Sequence, residues 1–258
     1  MKTNASFSLS KHETEILRTV RSRGSCSIIE LAEMLSVSDE TVRRHVQPLV
    51  NKGLVLRVHG GIVLPDQLHE APYLRRMDEN KKSKQRIAAY VAGLVQNGES
   101  LFLDSGSTTV YVALALINHR NLSVITNSVE IARTLASRNQ NHVYMAGGEL
   151  RGDDAAAFGK PVVDFIRQFH FKHAILSIGG ISPEGEVFDF HLEEMEVSRA
   201  AIAQSEHLIV VADHSKFTKQ ALVKVCDFDA IDVLICDKTP PDNILQVAEL
   251  SETNIEIV

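Results

Sequence analysis

From residue 84 onward, short runs rich in Val, Ile and Leu recur, and most of them end in an acid, an amide or a pair of glycines. They read "SLFLD", "LSVIT", "HVYMAGG", "HAILSIGG", "HLIVVAD", "DVLICD" and "NIEIV". Strands buried on both faces carry such unbroken apolar runs, because neither side of the sheet meets water. Between several of them lie stretches with helical spacing, such as "TVYVALALI", "VEIARTLA" and "EEMEVSRAAIA". This alternation predicts an α/β domain on a largely parallel sheet. Ligands of open α/β sheets bind beyond the carboxyl ends of the strands. Asp104, Thr126–Asn127, Gly147–Gly148, Gly179–Gly180 and Asp213 mark that edge.

The stretch "LDSGSTTVY" is the sharpest of these ends. Asp104 closes a strand, and Ser105 to Thr109 open the next helix. Gly106 lets the backbone approach an anion, and free N–H groups with the hydroxyls of Ser107, Thr108 and Thr109 can cradle a phosphate. A Ser/Gly/Thr turn can equally do no more than cap a helix. The stretch lacks the Gly-Lys-Ser/Thr of a P-loop and is not a dinucleotide fingerprint. Lys216 in "ADHSKF" follows a strand end and can meet a phosphate, and Arg151 after "AGGEL" can clamp an anion. Glu193, Glu194 and Glu196 read first as a solvated helix face. His170, His173, His191 and His207 share no metal spacing, so no metal and no cofactor are expected.

The first 63 residues have a different pattern. Ile16, Leu17 and Val20 recur at helical spacing up to Gly24, and Ile28, Ile29, Leu31, Ala32 and Leu35 make a second short helix. After the Ser36–Val37 turn, Ser38 is a good N-cap, with Asp39 and Glu40 in the positively polarised first turn. Val42, Val46, Leu49 and Val50 then form one apolar stripe. Thr41, Arg44, His45 and Pro48 lie opposite it, with Arg43 and Gln47 on the flanks. Two helices joined by a tight turn, the second basic on its outer face, predict a helix-turn-helix. Gly53 can close the helix, and "LVLRVHGGIVL" reads as a hairpin with Gly60–Gly61 at its tip: a wing, from which Arg57 and His59 reach phosphate or the minor groove. Pro48 removes a backbone bond and crowds the preceding turn, so this helix is expected to kink or end early.

Charge supports the division. Of the 258 residues, the first 86 carry a net +5 and the remainder −11. A basic head on an acidic body calls for a polyanionic partner at the head alone. Between them, residues 64–83 hold two prolines and many charges and are expected to be a linker leading into a helix near Lys84. Cys26, Cys226 and Cys236 form no C-x-x-C pair and are read as buried or incidental thiols of a reducing cytosol. No apolar run reaches membrane-helix length, and no signal peptide is visible. A cytoplasmic protein is expected.

The motifs SVSDETVRRHV and LRVHGG resemble the DNA-binding head of DeoR-type bacterial regulators, with His45 in place of the usual Asp. The body resembles their sensor domain, itself similar to ribose-5-phosphate isomerase and the CoA-transferases. The family's D-x-G-T-T stands at Asp104–Thr108, V-I-T-N at Val124–Asn127, A-G-G-x-L-R at Ala146–Arg151 and D-x-S-K-F at Asp213–Phe217. The resemblance implies a transcriptional repressor, not an enzyme, that is relieved by a phosphorylated sugar or polyol; sn-glycerol-3-phosphate fits its motifs best. It implies DNA contacts from Ser38, Thr41, Arg43, Arg44, His45, Arg57, His59, Gly60 and Gly61 to double-stranded operator DNA. Effector contacts are implied for Asp104, Ser105, Gly106, Ser107, Thr108, Thr109, Asn127, Gly148, Arg151, Glu194 and Lys216, with Asp104 and Glu194 facing sugar hydroxyls. A homo-oligomer is expected, since head pairs read operator half-sites. Two rivals remain open: an isomerase-like enzyme with Asp104 or Glu194 as base and Lys216 as electrophile, and an activator or architectural DNA-binding protein without effector.

Overall fold

In the head, local side-chain chemistry sets the helix boundaries. Helix α1 spans Lys11–Arg23 and α2 spans Ile28–Leu35. Ser27 and Glu30 form a reciprocal capping box at the start of α2, Ser27 Oγ accepting from Glu30 N at 3.1 Å and Glu30 accepting from Ser27 N at 2.8 Å. Helix α3, Asp39–Asn51, starts at Ser38, whose side chain accepts from Thr41 N at 3.3 Å. Val42, Val46 and Leu49 of α3 are fully buried against Ile16, Val20 and Leu31. Pro48 lies inside α3, yet the helix runs on to Asn51. The expected early end is therefore corrected: Val46 and Leu49, on either side of the proline, are held in the core, and packing outweighs one missing backbone bond.

Three short strands complete the head: β1 (Ser25–Ser27), β2 (Leu56–Val58) and β3 (Gly61–Val63), in the order β1-β3-β2 and all antiparallel. The expected wing is the β2–β3 hairpin, and β1 seals its inner edge. A Cβ on Gly61 would lie 2.5 Å from the Cys26 carbonyl oxygen, so only glycine lets β1 come this close.

The structure is a computed structural model that describes residues 9–23, 25–52, 54–58, 60–63, 70–219 and 221–258. Gly24, Gly53, His59 and the first part of the expected linker, residues 64–69, lie outside the described residues. The chain divides into two units, Met1–His69 and Glu70–Val258. The rest of the expected linker, residues 70–83, is not a linker but part of the second unit. Helices α4 (Tyr73–Asp78) and α5 (Lys81–Leu94) pack there with Tyr73, Arg76 and Lys84 buried. Arg76 and Lys84 find polar partners inside the unit, which is why a charged stretch can be buried at all.

The second unit is built on seven parallel strands: β4 (Ser100–Leu103), β5 (Ser123–Thr126), β6 (His142–Met145), β7 (Phe171–Ser177), β10 (Ser205–Ala212), β12 (Val233–Cys236) and β13 (Asn254–Ile257). These are the seven apolar runs read from the sequence. Their order is β13-β12-β10-β7-β4-β5-β6. On one face Leu101, Leu103 and Ile175 meet α5, α6 (Ser107–Ala115) and α7 (Val129–Leu135); on the other Phe102, Ala174 and Leu176 meet α8 (Lys160–Ile166), α9 (Leu192–Ile202) and α10 (Asp242–Leu250). A small antiparallel sheet of β8 (Gly180–Ile181), β9 (Glu186–Asp189) and β11 (Val223–Asp227) stands apart from the main one.

The strand order fixes where a ligand can bind. From β4 the chain moves outward through β5 and β6, then returns to place β7 on the other side of β4. The crevice beyond the carboxyl ends of β4 and β7 is the switch point of the sheet.

Candidate functional site

Asp104, directly after β4, ties the two strands of the switch point together. Its Oδ2 accepts from Ser177 N at 2.8 Å and Ser177 Oγ at 3.0 Å, at the end of β7. Its Oδ1 accepts from Gly106 N at 3.1 Å and Thr109 Oγ1 at 2.5 Å. Burial pushes the carboxyl upward, and these four donors pull it back toward ionisation. Asp104 was expected to face sugar hydroxyls. Instead both its oxygens are engaged in shaping the loop, although it lines the cavity.

The loop leads into α6, whose N-cap is Gly106 and carries no side-chain cap. The first N–H groups of this helix are thus unclaimed by a side chain among the described residues, and Ser105, Gly106, Ser107 and Thr108 around its start line a cavity. A Cβ on Gly106 would overlap Ser177 Oγ, so the glycine is demanded by the close approach of β7. Thr109 is corrected: it is fully buried, its hydroxyl donates within the loop, and it is not among the lining residues.

Other lining residues come from separate elements. Asn127, after β5, is fully buried; its Nδ2 donates to Ala157 O at 2.9 Å, and its Oδ1 has no hydrogen-bond partner among the described residues. Lys216, in the turn after β10, is half-buried; its backbone N–H donates to Asp213 O at 2.9 Å, and its ammonium makes no hydrogen bond or ion pair among the described residues. Burial pushes its ammonium downward, Lys219 adds to this, and Asp213 opposes it. Glu194 lines the cavity from α9, while its neighbours Glu193 and Glu196 are exposed.

Two expected effector residues lie elsewhere. Gly148 is exposed and is not among the lining residues. Arg151 is also absent from the lining: its guanidinium is held by Asp154 and by Glu194 at 2.5 Å and covers the Phe158 ring at 4.2 Å. Both carboxylates hold it above the ordinary arginine range despite the opposing effect of burial. It neutralises two acids that line the cavity, Asp154 and Glu194, and is not a free clamp.

Sequence reasoning missed Glu70, Arg76 and Asp189. Arg76 is 8% exposed; its Nη1 meets Glu70 Oε1 at 2.7 Å and its Nε donates to Ala71 O at 2.9 Å. Asp189, closing β9, accepts from Gly179 N at 2.8 Å. Burial, with Glu194, Asp104 and Glu70 nearby, holds it well above the usual carboxylate range. Glu70, His191 and Glu194 each bring one possible ligand atom within 4.8 Å of the others. Both carboxylates already have arginine partners, Arg76 and Arg151, which supply the countercharge a cation would bring.

In the head, Arg43, Arg44 and Arg57 are exposed, and Ser38 with Thr41 forms the polar start of α3. The His45 ring sits 4.9 Å from that of His12 on α1, so part of it is spent on packing. Gly60 is exposed at the hairpin tip and its carbonyl accepts from Ile28 N at 3.0 Å. Gly61 is corrected from a DNA-contact position to a packing one, because it is buried against β1.

Residues 13–68 match the DeoR-like helix-turn-helix domain, and residues 79–238 match the DeoR C terminal sensor domain. The chain belongs to the DeoR family. It is 38% identical to the glycerol-3-phosphate regulon repressor of Escherichia coli (strain K12), over 94% of this chain and 95% of the relative. A protein of the same name from Haemophilus influenzae is 37% identical over 88% of each. Among solved structures, ribose 5-phosphate isomerase A from Methanocaldococcus jannaschii aligns with a TM-score of 0.39 and 15% identity, over 54% of this chain and 55% of that one. A likeness at that level supports no argument about chemistry. No described helix is long and apolar enough to cross a membrane.

Proposed function

We propose that this DeoR-family protein is a cytoplasmic, homo-oligomeric, non-enzymatic repressor of a carbohydrate or polyol operon, released from DNA by a phosphorylated sugar or polyol, with sn-glycerol-3-phosphate the first candidate. The observation that carries the reading is the uncapped N-terminus of α6 at a polar cavity that is also lined by Lys216, whose ammonium has no partner among the described residues. A phosphate monoester is the ligand that satisfies both, since it accepts from backbone N–H groups and neutralises an ammonium. Asn127, Glu194 and Asp189 offer partners for hydroxyl groups. The name of the E. coli relative supports glycerol-3-phosphate in particular. Asp104 as a catalytic base is disfavoured by its four internal donors. At the head, Arg43, Arg44 and Arg57 supply the DNA-facing charge, with Ser38 and Thr41 at the helix start.

The test is a thermal-shift screen of phosphorylated metabolites on the full chain. A ligand at a hundred times its dissociation constant stabilises a protein by about 2.7 kcal/mol. sn-Glycerol-3-phosphate is expected to raise the melting temperature and glycerol to leave it unchanged. A flat response to every phosphorylated sugar and polyol would reject the reading.

A further inference from the structure

We infer that Arg76 is the second cation of the effector site, and that the stretch Glu70–Met77 is the part of the sensor that a bound phosphate monoester holds in place. The inference rests on the phosphate reading above and names what that ligand acts on.

Arg76 is 8% exposed and lines the same cavity as the α6 N-terminus. Two of its three guanidinium nitrogens are fixed, one by Glu70 and one by the Ala71 carbonyl. The third, Nη2, is buried with no hydrogen-bond partner among the described residues; Asp153 Oδ2 lies 3.9 Å from it, beyond hydrogen-bond reach. Arginine stays charged at any physiological pH, so this donor cannot be silenced by losing a proton. A buried charged donor left without an acceptor is unfavourable. An oxyanion beside the α6 N-terminus supplies the missing acceptor. Asn127 Oδ1, also buried and unpartnered in the cavity, supplies an acceptor for a hydroxyl of the same ligand. The chemistry required is thus an oxyanion with an attached alcohol.

The surroundings of Arg76 tie this contact to its own chain segment. Lys84 Nζ, itself buried, donates to the Arg76 carbonyl and to Ser107 Oγ at 3.0 Å, joining the segment to the first residue of α6. Tyr73 N donates to Asp153 at 3.0 Å, and Tyr111 of α6 donates its hydroxyl to Met77 O at 2.9 Å. An anion bridging α6 and Arg76 closes this ring of contacts. Glu70 is separated by residues 64–69 from β3, the last strand of the wing. The effector therefore acts on the first part of the sensor that follows the head in the chain.

The test uses the full chain with inorganic phosphate, sn-glycerol-3-phosphate and glycerol as probes. Calorimetry compares wild type with the paired variant Glu70→Gln/Arg76→Gln, which removes both charges and leaves no buried carboxylate alone. Hydrogen exchange of the 70–78 amides in wild type, with and without each probe, needs no substitution. The inference expects affinity for both phosphate-bearing probes to fall about tenfold or more in the variant, and wild-type 70–78 exchange to slow by a similar factor on binding them, with glycerol inert. Wild type that binds neither phosphate probe overturns the phosphate reading and this inference together. Wild type that binds while its 70–78 exchange is unchanged overturns the inference alone. A folded variant that matches wild-type affinity does the same. Should the variant fail to fold, the wild-type exchange result decides.

Discussion

At the residue scale, adjacent side chains of one type have opposite fates, and two buried groups make sharp predictions. Asp104 accepts four hydrogen bonds that join β4, the phosphate loop and β7. Asp104→Asn replaces one acceptor oxygen with an amide that faces donors. It should cost about 2–4 kcal/mol in urea unfolding and abolish the thermal shift with sn-glycerol-3-phosphate; unfolding curves that superimpose on wild type would refute this role. Lys84 is pushed down to about 8 from 10.5, chiefly by burial, with Asp213 opposing. Below pH 8 both folded and unfolded chains hold this proton; between 8 and 10.5 only the unfolded chain does, so the contribution of this lysine to stability rises with pH across that window. The gap between the two values corresponds to about 3 kcal/mol. Wild type should therefore gain about that much relative to Lys84→Met between pH 7.5 and 10.5 in paired urea titrations, and a constant difference would count against it. Neither lysine nor Arg76 was legible as buried in the charged run "YLRRMDENKKSK". Arg75 is exposed and pairs with Glu79 at 2.6 Å, while Arg76 turns inward to Glu70. Charge type does not distinguish the two; the face of α4 on which each lies does, since successive residues of a helix point about 100° apart and Arg76 shares the buried face with Tyr73. That the loop Asp104–Thr108 and Lys216 line one cavity was legible because a turn at a strand end that borders a cavity is small and polar, and a motif resemblance gave the positions.

At the scale of elements, the seven parallel strands were readable because burial on both faces leaves no room for polar residues. The small sheet of β8, β9 and β11 was not. Its strands are short, and β9 buries only every second side chain, so "EVFD" carries little apolar signal. β1 was hidden for a related reason: Ser25–Ser27 is a strand only because β3 pairs with it. Helix α3 was read correctly in place and length except at Pro48, where local propensity and tertiary packing conflict. Pro48→Ala restores a backbone donor and relieves crowding on the preceding turn. It should stabilise the head by about 1–3 kcal/mol, read as a rise in the midpoint of urea unfolding followed by hydrogen exchange at α3 amides. A fall would mean that the proline ring, half-buried at this position, contributes packing that alanine cannot replace.

At the scale of the whole molecule, the residues that line the cavity all come from Glu70 onward, whereas the exposed arginines proposed to face DNA lie in the first unit. Ligand and operator therefore do not compete for the same atoms, and release has to be a coupling between sites. Such coupling is reciprocal and worth about 1–3 kcal/mol, so effector should weaken operator binding by roughly 5- to 150-fold and operator should weaken effector binding by the same factor. Titrating sn-glycerol-3-phosphate into the full chain with and without operator checks both directions; equal effector affinity in the two experiments would exclude the coupling. At the boundary between the units the charge division keeps its sign but shrinks: residues 1–69 carry 9 Lys/Arg against 7 Asp/Glu, a net +2, and residues 70–258 a net −8, because Arg75, Arg76, Lys81, Lys82, Lys84 and Arg86 belong to the second unit. A last consequence lies in which elements furnish the cavity. The loop proposed to meet the phosphate comes from the β4–α6 turn, while Asp189, Glu194 and Ser198, which line the same cavity, come from β9 and α9. Anchor and reader are thus encoded in different stretches of the gene. A duplicated copy can acquire a new inducer through changes at the second stretch while keeping its hold on every phosphate ester, and a laboratory building a reporter for a chosen metabolite can begin with a library at those three positions.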